Sequence, residues 1–214
     1  MTRIALIHAL AHSVGPINDL LAQEWPECQR MNVLDDSLSA DLARSGQGLD
    51  AAMHRRFEDL AAYVDGTGVQ AILFTCSAFG SCIEAVAARR PAMPVLKPNQ
   101  AMVADAAALG RRVGLIASFA PTLVSMPSEF PAGVEVVPEM AEGAMDALNQ
   151  QQFERHDEIV VASALRLVNQ GCDVIALAQF SMARAQAAVR HVVQLPVLTT
   201  PGSAVAYLRQ RLGA

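Results

Sequence analysis

A thiol and an amide hold matching places in this chain. Gly68–Phe79 can be laid over Gly171–Met182. Each stretch reads as a glycine turn, a buried strand, a short polar segment and the start of a helix, and the overlay sets Cys76 opposite Gln179. A thiol that follows a buried strand and precedes a helix can remove a proton or attack carbon. Free amides at a helix N-terminus favour negative charge and so lower the thiol pKa. An amide has no usable proton-transfer pKa, but its NH2 can donate hydrogen bonds to a carboxylate or an enediolate. The competing reading of Cys76 is a small buried residue of the core. That reading is the one given to Cys28, Cys82 and Cys172.

Other polar residues gather at the ends of the same strands. The first half offers His8, Ser13, Thr75, Ser77 and Lys97, and the second offers Ser118, Ser181 and Thr199. In open parallel sheets, ligands bind outside the carboxyl ends of the strands, which makes these the candidate substrate-binding residues. Lys97 is the only lysine in the chain. It can hold a substrate carboxylate, pair with Asp36, or be a solvated strand end. His8 can transfer protons or be a hydrogen-bonded core histidine. His54, His156 and His191 have arginine neighbours and read as surface. Asp35-Asp36 reads as a turn or a helix lead-in. Phe79, Phe119 and Phe180 offer either an apolar wall for a substrate or ordinary core packing. No ligand spacing for a metal, no dinucleotide fingerprint and no phosphate-binding loop is found.

The elements that must position these residues alternate along the chain. Strands are expected at 3–8, 29–34, 69–75, 94–97, 112–117, 134–137, 173–178 and 196–199. Helices are expected at 16–23, 49–64, 82–88, 101–109, 121–129, 152–169, 183–193 and 203–212. Several strands are apolar throughout, as strands covered on both faces are. Strands alternating with helices imply parallel sheets, because parallel neighbours need crossover connections. The repeat extends further: Arg3–Ile7 resembles Arg112–Ile116, and Pro94–Pro98 resembles Pro196–Pro201. The chain thus reads as an α/β fold of two pseudo-symmetric domains, each a mainly four-stranded parallel sheet flanked by helices. The first is placed at 1–110 and the second at 111–201, with a C-terminal helix at 202–214.

Composition narrows the function. The 214 residues are 52% hydrophobic and 17% charged, enough to bury a sizeable core, and only 5% are aromatic. A net charge of -5 with no basic cluster argues against nucleic acid or an anionic membrane as partner. No apolar run approaches the length of a membrane span, and Ile4–Ala11 reads as a first strand rather than a secretory signal. Four cysteines without disulfide or zinc spacing suit a reducing cytoplasm. The sequence allows a homo-oligomer.

Thr75-Cys76-Ser77-Ala78-Phe79-Gly80, set in this duplicated pattern, resembles the aspartate/glutamate racemase superfamily. That superfamily includes amino-acid and hydantoin racemases, maleate isomerase and arylmalonate decarboxylase. The resemblance implies two domains with a cleft between them, no metal or organic cofactor, and a C-terminal helix packed on the first domain. It also implies a small carboxylate substrate. In the racemases each half supplies one cysteine, and the two address opposite faces of a carbon next to a carboxylate. Cys76 matches the first of these positions, and Gln179 stands where the second cysteine is usual. Three functions follow. Cys76 can share proton transfer with Lys97, His8 or a water in a racemase or isomerase. It can alone protonate an enediolate after loss of CO2, although the family's single-cysteine decarboxylases keep the second cysteine rather than the first. The chain can also be a non-catalytic binding relative.

Overall fold

In a computed structural model, residues 2–46 and 48–213 are described; Met1 and Ala214, at the ends of the expected domain spans, lie outside them. Among these residues two four-stranded parallel sheets form, with strand orders β2-β1-β3-β4 and β6-β5-β7-β8. The first contains β1 (Arg3–His8), β2 (Gln29–Leu34), β3 (Ala71–Phe74) and β4 (Val95–Leu96). The second contains β5 (Arg112–Ala117), β6 (Glu135–Met140), β7 (Val174–Leu177) and β8 (Val197–Thr199). Between the strands run α1 (Val14–Glu24), α2 (Ser37–Ser45), α3 (Ala51–Asp65), α4 (Gly80–Ala88) and α5 (Gln100–Leu109). The second half has α6 (Ala120–Ser125), α7 (Ala144–Asn149), α8 (Phe153–Asn169), α9 (Gln186–Val192) and α10 (Thr200–Leu212).

The two sheets repeat each other in register as well as in order. Ile4 pairs with Ala71 where Val113 pairs with Val174, and Ile72 pairs with Val95 where Ile175 pairs with Val197. The strand-end hydrogen bonds repeat too. Thr75 N–H donates to the Ile7 carbonyl as Ala178 N–H does to Ile116, and Asp35 N–H donates to His8 as Ala141 N–H does to Ala117. Counted from this register, Cys76 and Gln179 are equivalent.

By contacts the chain divides into two compact units. One runs to Pro98 and takes in the residues from Ala204 on; the other is Asn99–Ser203. In the first, Ala5, Ile7, Ile72 and Phe74 of the sheet pack with Leu38, Phe57, Phe79 and Ile83, and Cys76 lies against this cluster. In the second, residues alternate between two cores. Val113, Leu115, Val174 and Ala176 meet Met102, Val103 and Ala106 of α5 on one face, while Ile116, Ile175 and Leu177 meet Val160, Ala164 and Leu167 of α8 on the other. This double coverage is why these strands are apolar throughout. The sequence ends its first span at Gly110. The apolar face of α5 belongs instead to the second sheet, where it packs on β7 and β8.

Two short helices, α2 and α7, fall in stretches read as connections. Both are short: α2 buries Leu38, and α7 buries Ala144, Ala147 and Leu148. Asp35-Asp36 is the lead-in to α2, with Asp36 at the N-cap.

Candidate active site

Cys76 and Gln179 stand in the same local geometry. Each is the extended residue between a central strand and a 3-10 turn, with φ/ψ of -127°/123° for Cys76 and -133°/144° for Gln179. The turns are Ser77–Phe79 and Phe180–Ala185. An extended residue here ends the ladder and releases its side chain at the carboxyl end of the sheet.

In the first unit Cys76 is half-buried, and burial pushes its thiol up from the ordinary range. The Ala78 N–H and the Ser39 hydroxyl both bond the sulfur and oppose that rise without cancelling it. The sequence expectation of a thiol lowered by the helix terminus is therefore corrected. One backbone N–H in a short turn does not offset removal of the thiolate from water. The resting group is a protonated thiol. Cys28, Cys82 and Cys172 are buried, and burial drives Cys82 up to about 11.

Beneath Cys76 lies a closed polar network. His8 is fully buried; its Nδ1 meets Thr75 Oγ1 at 2.9 Å and its Nε2 meets Asn32 Oδ1 at 3.0 Å. Asn32 and Asn18 exchange amide bonds of 2.8 and 3.2 Å. Asn32 Oδ1 is an acceptor, so Nε2 carries the proton and Nδ1 accepts from Thr75. Burial lowers the His8 pKa against the Asn32 bond, which keeps the ring neutral. His8 thus has both nitrogens engaged by protein. The register places Ala117, Ala178 and Pro138 where His8, Thr75 and Asn32 stand, so the network belongs to the first half alone.

Ser13 and Ser77 are buried near the same strand ends, Ser13 as the residue before α1 and Ser77 as the first of the 3-10 turn. Lys97 Nζ donates to Glu84 Oε1 of α4 at 2.6 Å; the sequence had offered it Asp36.

In the second unit Gln179 Oε1 accepts from the Ser118 N–H at 2.5 Å and from the Ser118 hydroxyl at 2.9 Å. These bonds fix the amide and leave its NH2 as the end that Ser118 does not engage. Ser181 is buried, and its hydroxyl has no hydrogen-bond partner. Thr199 ends β8 and caps α10, its Oγ1 accepting from the Gly202 N–H at 3.2 Å. Phe79 and Phe180 are core residues. His156, expected at the surface, is fully buried, and its Nδ1 meets Asp157 at 2.7 Å. Arg184 binds the same carboxylate. Among the described residues no group of three or more His, Cys, Asp or Glu could hold a metal ion, and no helix is long and apolar enough to cross a membrane.

One residue of the site was missed in the sequence. Ser39 follows two aspartates in a stretch read as a lead-in, and the turn of helix that brings it to Cys76 is α2. The available signal was the spacing of Leu38 and Leu42, four residues apart and both on the core side.

A doubled α/β fold with a thiol and an amide at equivalent strand ends defines a class of duplicated parallel-sheet proteins. The sequence model of the Asp/Glu/Hydantoin racemase family matches residues 16–208, and the chain belongs to that family. The aspartate racemase of Picrophilus torridus has the same fold, with a TM-score of 0.76 at 11% identity over 100% of this chain and 95% of that one. The glutamate racemase of Francisella tularensis, in complex with D-glutamate, superposes with a TM-score of 0.73 at 14% identity, covering 99% and 80%. The allantoin racemase of Klebsiella pneumoniae gives 0.73 at 18% identity, covering 100% and 88%. A search of curated protein sequences found no match.

Proposed function

We propose that this protein is a cofactor-independent racemase or isomerase that exchanges a proton at a carbon next to the carboxylate of a small organic or amino acid. Cys76 is the proton-transferring group. Gln179 donates through its NH2 to the oxygens of the enediolate that forms when the carbon loses its proton. Ser77, Ser181 and Thr199 supply further hydrogen bonds to the substrate, and Ser118, whose N–H and hydroxyl both go to Gln179, holds that amide in place. His8, whose nitrogens are both engaged, supports the strand ends and leaves the second proton transfer to Lys97 or a water.

The observation that carries this reading is the equivalence of Cys76 and Gln179 in two copies of one local structure, within a racemase family. The raised thiol has a direct consequence. Acid catalysis by Cys76 uses the form that predominates at neutral pH, whereas base catalysis draws on the minor thiolate, which the Ala78 N–H and Ser39 stabilise once it forms.

The test is incubation in D2O with a panel of α-substituted substrates that includes glutamate, aspartate and allantoin, the molecules in the names of the relatives. Deuterium enters the α-position of the true substrate. Cys76→Ser lowers that exchange on the order of 100- to 10,000-fold, because a hydroxyl is a far weaker acid than a thiol. Cys82→Ser and Cys172→Ser retain it. Undiminished exchange in Cys76→Ser would remove the thiol from the mechanism.

A further inference from the structure

The helix before each central strand is tied to the turn after it, and the two halves do this differently. The register that sets Cys76 against Gln179 also lays α3 over α8. The buried residues Met53, Phe57, Ala61 and Val64 then fall on His156, Val160, Ala164 and Leu167. His54 falls on Asp157, and Ser81 falls on Arg184. In the first half His54 Nε2 and Ser81 Oγ stand 3.5 Å apart, at the limit of a hydrogen bond. In the second half Arg184 grips Asp157 with two bonds, Nε to Oδ1 at 2.9 Å and Nη2 to Oδ2 at 3.1 Å. Its guanidinium also lies over the Phe153 ring, 4.6 Å from the centroid. A planar two-point pairing fixes direction as well as distance.

His156 completes this group. It is fully buried and fills a core place that is methionine in the first half. Its Nδ1 donates to Asp157 Oδ1 at 2.7 Å, while its Nε2 has no hydrogen-bond partner among the described residues. An unpaired buried nitrogen destabilises a core that methionine would fill without one. What offsets this is a carboxylate held from two sides. The need for that hold lies in the turn. After Cys76 the 3-10 turn has 3 residues before α4 begins; after Gln179 it has 6. Long 3-10 runs are poorly bonded and uncommon. Gln179 opens the long turn, its carbonyl accepting from the Met182 N–H at 3.0 Å, and Arg184 lies near the far end.

We propose that His156, Asp157 and Arg184 are positioning residues for Gln179: they latch α8 to the turn that Gln179 opens, and so direct its NH2. The proposal rests on the reading of Gln179 as the donor to the enediolate. Ser118 holds the amide oxygen, and the latch holds the backbone that carries the amide.

The position of Gln179 can be read without a substrate. Its NH2 gives a pair of signals in proton–nitrogen correlation spectra, assigned by their absence from Gln179→Ala. In the wild type the bonds from Ser118 keep the pair away from the place of a solvated glutamine. In Arg184→Ala and in Asp157→Ala the pair moves toward that place, and the double variant moves it no further. His156→Met keeps the core filled, as Met53 does, and moves the pair the same way. Unmoved signals in these variants while folded overturn the proposal. On a substrate that exchanges deuterium, Arg184→Ala lowers turnover by about ten- to a hundred-fold, the effect of about an ångström of misplacement. KM changes little, because the Gln179 bond strengthens only as the enediolate forms. In a Gln179→Ala background the same substitution has no further effect. Unchanged turnover in Arg184→Ala, or a full second loss in Gln179→Ala, overturns the proposal. If the signals stay while Cys76→Ser abolishes exchange, the functional reading stands and the latch falls. If they move while no substrate exchanges, the latch stands and the functional reading falls.

Discussion

At the residue scale, the exchange of a thiol for an amide at one of two equivalent positions sets the chemistry. Gln179 is held by two bonds from Ser118, and it can give hydrogen bonds but cannot move a proton. The wild type is therefore expected to exchange the α-proton mainly on the face that Cys76 addresses. Gln179→Cys restores a second thiol, and the variant should exchange on both faces and racemise a chiral substrate faster. The amide NH2 donor is lost with Gln179, so the variant should also bind the substrate carboxylate less well. Chiral chromatography of substrate recovered from D2O reads both enantiomers. If the wild type already takes up deuterium equally on both faces, a second base is present, and Lys97 is the next residue to change.

At the element scale, the two central strands differ at one equivalent position for a packing reason. Ala5 of β1 corresponds to Gly114 of β5. A Cβ on Gly114 would lie 2.8 Å from Leu167 Cδ1 and 3.1 Å from Leu167 Cβ, with Ile175 Cδ1 at 3.2 Å. The Leu167 tip can turn aside, but its Cβ is fixed by the α8 backbone. Gly114→Ala should therefore destabilise the protein by about 1–3 kcal/mol through overpacking. In urea unfolding the midpoint falls while the slope stays that of the wild type. Ala5→Gly, the reverse change in the other sheet, leaves a void rather than a clash, and Leu167→Ala should rescue part of the Gly114→Ala loss. Absence of that rescue would place the strain elsewhere.

At the scale of the whole molecule, the buried His8 network makes stability depend on pH in a window of its own. The folded state holds the ring neutral, with its pKa below the ordinary histidine value. As pH falls through that ordinary value, the unfolded chain binds a proton that the folded chain refuses. Stability is then present at and above neutrality and is lost on acidification between about pH 7 and 5. The carboxylates held low in the fold, Asp35, Asp41, Glu58 and Asp157, lose their contribution in a separate and more acidic window. The thermal midpoint of the wild type should fall across the first window, and that of His8→Gln should stay level there whatever its starting value. An equal slope in both proteins would assign the acid sensitivity to other groups.

The repeat was legible in the sequence because strands buried on both faces must be apolar throughout, and the glycine turns and apolar runs recur at matching intervals. Parallel direction and the equivalence of Cys76 with Gln179 follow from that pattern; the strand orders β2-β1-β3-β4 and β6-β5-β7-β8 come from the structure. What the sequence could not set were properties that depend on neighbours distant in the chain. Burial reversed the expected direction of the Cys76 shift, because desolvation outweighs one backbone N–H and one hydroxyl. The sequence placed α5 in the first span, while its apolar side packs on β7 and β8. His156 has the charged flanks of a surface residue, yet its ring is buried against Asp157. Ser39 rides on a short helix fastened by an arginine seventeen residues on, so its bond to the Ala9 carbonyl depends on the packing of α2 and α3.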